Sequence, residues 1–128
     1  MVEDRTWLLN FYIIYDIFLL MTDGQMKPLC FLGDSLKQNR DFPEAARKEP
    51  GVELHMIQQG LEPNDWKPIA SVGPSVREIR IRDRAGAFRV LYVANIESAI
   101  YVLHAFQKKA QQPAKRDLEL AESRLKEI

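Results

Sequence analysis

The sequence predicts an α+β domain, a small antiparallel sheet preceded by two helices and followed by one. Three observations lead there. Residues 76–83 (VREIRIRD) alternate strictly, and residues 88–94 (FRVLYVA) and 99–106 (AIYVLHAF) follow as β-branched and aromatic runs divided by short turns, the pattern of a three-stranded meander. Ahead of them, Pro43 and Gly60 bracket a window with helical spacing of Val52, His55, Met56 and Gln59. Behind them, Leu118, Ala121, Leu125 and Ile128 recur at helical intervals after Pro113. A chain of 128 residues, 46% hydrophobic and 28% charged, has the length for one core but not for two comfortable ones.

The domain is expected over residues 27–128, with residues 1–26 an apolar N-terminal extension. Its run WLLNFYIIYDIFLLM (residues 7–21) is interrupted by Asn10 and Asp16. A bilayer span needs about 18–20 mostly apolar residues, and a charge near its middle costs about 3 kcal/mol. A secretory signal wants a positive start and a small-residue cleavage site; this chain offers Glu3-Asp4-Arg5 and Met21-Thr22-Asp23-Gly24. As a helix the run would be apolar nearly all round and would need burial against the domain, a partner or lipid. The simpler expectation is a start artefact, with translation beginning at Met21 or Met26. No stable membrane association is expected.

Within the domain, residues 27–32 (KPLCFL) suit a first strand ending in the turn Gly33-Asp34-Ser35. Asp34 or Ser35 can cap a helix from Leu36 to Arg40 or Asp41. A second helix is expected over residues 44–59, with Pro50-Gly51 a point where it kinks or begins again. Residues 61–75 hold Pro63, Pro68, Gly73 and Pro74 and read as a loop, pinned by a buried Trp66. In the first meander strand, Arg77, Ile79 and Ile81 share one face, and Val76, Glu78, Arg80 and Arg82 share the other. Arg77, among isoleucines, is expected to make a structural ion pair with a helix carboxylate.

Cys30 is the only cysteine, so no intrachain disulfide can form, and the chain is expected to be intracellular, in the cytoplasm. Lying in an apolar strand, it is expected to be a buried small hydrophobe. One cysteine with two distant histidines, His55 and His104, argues against a Cys/His zinc site, and no cofactor is expected.

Eighteen basic and eighteen acidic residues cancel to a formal net charge of zero, which taken whole opposes nucleic-acid binding. Resolved by segment, residues 67–116 carry ten Lys or Arg against three Asp or Glu, and the acidic excess sits on either side. Such a block generates a local field that the total conceals. Arg80 and Arg82 project together, Arg89 lies on the partner strand, and the next strand ends in His104 and Lys108-Lys109. Arginine forks grip phosphates bidentately. RNA cleavage without a metal needs a base for the ribose 2′-OH, cations for the charged phosphorane and an acid for the leaving 5′-oxygen. His104 is the only imidazole in the basic region and the candidate acid or base, with Tyr92 and Tyr101 as reserve proton donors and Asp83 or Glu97 as reserve bases. The competing readings are a core histidine, with Lys108-Lys109 a solvated surface pair.

The segments GLEPNDWKPI (residues 60–69), VREIRIRDRAGAFRVLYVA (residues 76–94) and AIYVLHAFQKK (residues 99–109), in that order, resemble the RelE/HigB superfamily of bacterial toxins, specifically the phage-derived HigB-like branch. The resemblance covers residues 27–128 and implies a RelE-like fold. It also implies a type II toxin–antitoxin toxin: a ribosome-dependent, metal-independent mRNA endoribonuclease that inhibits translation. The partners it implies are mRNA in the ribosomal decoding site and a helix-turn-helix antitoxin. By motif position His104, Arg89 and Arg80 would be catalytic, and Arg82, Lys108 and Lys109 would bind RNA. Some relatives place a catalytic Tyr in a C-terminal segment, where residues 113–128 have none. The alternative reading is a non-catalytic RNA- or protein-binding module on the same fold. A third is a small membrane-active protein driven by residues 7–21.

Overall fold

The computed structural model describes residues 26–96 and 99–128. Residues 1–25 of the expected extension, and Glu97, lie outside the described residues. In chain order the elements are β1 (Leu29–Phe31), α1 (Ser35–Arg40), α2 (Glu44–Arg47), α3 (Glu49–Gln58), β2 (Trp66–Pro68), β3 (Val76–Asp83), β4 (Gly86–Ile96), β5 (Ala99–Lys108) and α4 (Lys115–Leu125). The sheet runs β1-β5-β4-β3-β2. The expected meander is its centre, β1 lies parallel to β5, and the other pairings are antiparallel.

The sheet separates two cores. On one face Ile79, Ile81, Phe88, Val90, Tyr92, Ile100 and Val102 pack against Leu36, Ala46, Leu54 and Ile57 from the three N-terminal helices and Phe42 from the turn between α1 and α2. On the other, Val76, Leu91, Leu103 and Phe106 meet Val72 and Ala121, flanked by Leu118 and Leu125 of α4. Ala121 is fully buried, and its small side chain lets α4 lie close to the sheet; a larger one would overpack at a cost of about 1–3 kcal/mol.

Several details refine the expectation or differ from it. The window over residues 44–59 is two helices, because Pro50 sits in the first turn of α3, where its missing N–H costs nothing, and the chain begins a new helix there. The expected loop contains a short edge strand, β2, whose Trp66 pairs with Ile79 and whose Pro68 ends it. Trp66 is half-buried, and the Arg77 guanidinium lies 4.1 Å over its ring. The carboxylate partner of Arg77 is Glu62, 3.6 Å away in the loop and not on a helix. Cys30 is only half-buried, since β1 is a three-residue edge strand, and Ile128 lies beyond the end of α4 and is exposed.

A β-bulge in β5 decides what faces α4. Leu91 pairs with His104 while its neighbour Tyr92 pairs with Val102, leaving Leu103 as the extra residue. Simple alternation from Ile100 and Val102 would carry His104 into the helix-covered core; the extra residue turns it to the α4 side.

Candidate functional site

On the α4 side of the sheet the strand register lays out three rows. Arg82, Ala87 and Lys108 form the outermost row, Arg80, Arg89 and Phe106 the next, and Glu78, Leu91 and His104 the innermost. The expected gathering of Arg80, Arg82, Arg89, His104 and Lys108 on one face is therefore present, and Lys109 follows at the exposed end of β5. The two-residue turn Arg84-Ala85 joins β3 to β4, held by Asp83, whose Oδ1 accepts the Ala85 N–H at 2.6 Å. Asp83 thus serves the turn.

The cations are unequal. Arg89 is buried, 2% exposed, beside an equally buried Glu78 with Nε–Oε2 3.5 Å apart, and its Nη1 donates to the Phe88 carbonyl at 3.0 Å. Burial lowers the Arg89 pKa; Glu78 opposes this, and Arg80 and Arg82 add to it. Arg80 is partly exposed and 3.9 Å from Asp65, a loose pair of little energy. Arg82 is exposed and Lys108 half-exposed. Loss of hydration, then repulsion from Arg89, Arg82 and Arg80, hold Lys108 below its ordinary pKa.

His104 is 5% exposed. Its Nε2 lies 2.8 Å from Asp117 Oδ1 on α4, and its ring stacks on Phe106 with centroids 5.1 Å apart. Burial lowers its pKa, with the Asp117 hydrogen bond and charge opposing. The neutral ring that donates Nε2–H to Asp117 keeps an acceptor lone pair on Nδ1, which is buried without a hydrogen-bond partner. Arg124, two turns further along α4, donates to the Leu103 carbonyl and to Asp34. Burial pushes the Asp34 carboxyl up, but the hydrogen bonds from Arg124 and Gln38 win and hold it below its ordinary value.

Beside His104 a cleft of about 720 Å3 opens between α1, the end of β5 and the start of α4. It exists because β1 stops at Phe31, opposite Val102, so the later part of β5 has no strand on that edge. His104, Phe106, Lys108, Lys109 and Arg116 are among its lining residues. Tyr92, by contrast, is fully buried in the helix-covered core, on the wrong face to serve as a proton donor here. Tyr101 pairs with Cys30 and Val93 near the opposite end of β5.

The site residues the sequence did not single out are Asp117, Arg124 and Phe106, together with Asp34, expected only as a helix cap, whose side chain makes no cap hydrogen bond and instead accepts from Arg124. Asp117, Ala121 and Arg124 stand at i, i+4 and i+7, so the apolar stripe of α4 already placed both charges on its sheet-facing side. Among the described residues no group of three or more His, Cys, Asp or Glu side chains could hold a metal ion, and no helix is long and apolar enough to cross a membrane.

A family model described as "Phage derived protein Gp49-like (DUF891)" matches residues 37–126. No curated protein matches the chain. Among solved structures, the free state of a double arginine-to-alanine mutant of the E. coli toxin RelE aligns with a TM-score of 0.54 and 19% identity, covering 80% of this chain and 98% of that one. At that identity the likeness is one of fold. The family match, which runs from α1 to the end of α4, places the chain in the phage-derived Gp49-like family, and its fold is RelE-like.

Proposed function

We propose that the chain is the toxin of a type II toxin–antitoxin system and acts in the cytoplasm as a ribosome-dependent, metal-independent mRNA endoribonuclease. The observation that carries this reading is the pair of adjacent rows holding Arg80, Arg82, Arg89 and Lys108 on one sheet face, next to a cleft lined by the only imidazole of that region. In the reaction the ribose 2′-oxygen attacks the adjacent phosphorus, the bond from phosphorus to the 5′-oxygen breaks, and a cyclic 2′,3′-phosphate and a 5′-hydroxyl result. Arg82, Lys108 and Lys109 bind the backbone. Arg80 stabilises the phosphorane charge, and the buried Arg89 beside it adds positive potential from within the sheet face. His104 Nδ1, an acceptor while Nε2–H is committed to Asp117, takes the proton of the 2′-OH, and water protonates the departing 5′-oxygen. The partner is a helix-turn-helix antitoxin that silences the toxin.

Induced expression of the full chain followed by primer extension on a translated reporter mRNA tests this. Growth arrest with discrete cuts, lost in Arg82→Ala/Lys108→Ala and in His104→Asn, supports it. Unaffected growth and an uncut reporter sink it. The near-complete burial of His104 favours one rival, a non-catalytic RNA-binding module, which would bind RNA and leave every message intact.

A further inference from the structure

We propose that the cleft between α1, β5 and α4 is a nucleobase pocket, taking one base of a single-stranded RNA whose phosphates lie along Lys108, Arg82 and Arg80. The inference rests on the RNA-directed reading above and adds a subsite to it.

Three features of the cleft converge on a flat, anionic ligand. Its volume of about 720 Å3 falls within the range of about 300–1,000 Å3 typical of pockets for small organic ligands. Three rings reach its wall: His104 stacked on Phe106, and Phe42, backed by the fully buried Phe88 with centroids 4.7 Å apart. Leu120, 37% exposed, adds a large apolar side chain at the same opening. Aromatic and apolar walls of this kind hold bases by their faces, whatever the base.

The charges on the rim point the same way. The acidic side chains there are already engaged: Asp34 by Arg124, Asp41 by Lys37 and Asp117 by His104. Lys108, Lys109 and Arg116 line the cleft and form no ion pair among the described residues. The rim therefore presents uncompensated positive charge. Lys108 also belongs to the sheet row of Arg82, joined through Ala87, so the cationic face and the cleft are one continuous surface. A phosphate on that row places the attached sugar and base at the cleft mouth.

Titrating the full chain with 5′-AMP, 5′-CMP and ribose 5-phosphate, followed by two-dimensional 1H–15N NMR, tests the proposal. A seated base makes the nucleotides bind about tenfold tighter than ribose 5-phosphate and shifts the resonances of Phe106, Ala110 and Leu120. The gain disappears in Ala110→Trp and in Leu120→Trp, which fill the cleft from exposed positions, and persists in Val52→Glu on the distant helix α3. Two filling variants, each checked for native circular dichroism, keep a misfolded one from deciding the outcome. Equal affinities for the three probes, or a gain that survives both fillings, overturn the pocket; a cleft built for a protein partner gives that result. Cuts in the reporter mRNA without any base-dependent gain would sink the pocket alone, and a base-dependent gain without cuts would sink only the nuclease.

Discussion

His104 Nε2 and Asp117 Oδ1 lie 2.8 Å apart, a hydrogen bond that ties the imidazole of β5 to the first turn of the terminal helix. Burial holds the folded pKa of His104 below its ordinary 6.5 despite the carboxylate. As pH falls, the unfolded chain therefore takes up this proton before the folded chain does. Stability is expected to fall as pH drops through about 6.5 and to level off below the lowered folded pKa. Melting temperatures between about pH 8 and pH 5 check this, and His104→Asn should flatten the slope in that window. An unchanged slope would assign the effect to another group. Asp34 acts in a separate, lower window: its pKa lies below 3.8, so its contribution disappears only as pH falls through that folded value.

Arg89→Ala is expected to cost about 3–5 kcal/mol of stability, because it leaves Glu78 charged, 1% exposed and unpaired. Replacing both, as Arg89→Met with Glu78→Leu, should restore most of that loss. Urea denaturation of the two variants makes the comparison. A single substitution that costs nothing would mean the pair is far more hydrated than its geometry indicates. Loss of toxicity in Arg89→Ala alone cannot separate chemistry from folding, which is why Arg82 and Lys108 carry the functional test.

Arg82→Ala and Lys108→Ala should leave stability essentially unchanged, since neither side chain is buried or ion-paired. Each should weaken binding of a single-stranded RNA oligonucleotide and reduce the salt dependence of log K by about 0.7 for every phosphate no longer neutralised. A potassium chloride titration reads the slope; an unaltered slope in both variants would place the phosphates elsewhere.

Gly33→Ala should destabilise by about 1–3 kcal/mol. Gly33 has φ of 55°, and an added Cβ would collide with the Arg124 guanidinium. That guanidinium cannot simply swing away, being buried and bonded to both Leu103 and Asp34. Thermal unfolding measures the cost, and Gly51→Ala, where a Cβ meets nothing within 4 Å, is the control.

Much of this protein was legible in the sequence because its signals are local. Strict alternation in VREIRIRD set the two faces of β3, including the shared side of Glu78, Arg80 and Arg82. The helical spacing of Leu118, Ala121 and Leu125 set the buried stripe of α4. Pro50-Gly51 marked where the helical window divides. The +7 hidden in a neutral chain located the cationic block, because charge by segment is a property of the sequence itself.

Tertiary structure decided the rest, wherever the outcome depends on partners distant in the chain. A three-residue strand such as β2 carries too little pattern to stand out, and it exists because Trp66 finds Ile79. Only pairing with β4 reveals the bulge at Leu103, and with it the face on which His104 stands. Whether an arginine greets solvent or seals an ion pair is equally invisible to spacing: Arg82 is exposed and Arg89 is not, though both lie on the same basic face. The sequence determined which residues are charged and which are apolar; packing determined which of those charges remain free to meet a ligand, because desolvation is set by neighbours and not by order along the chain.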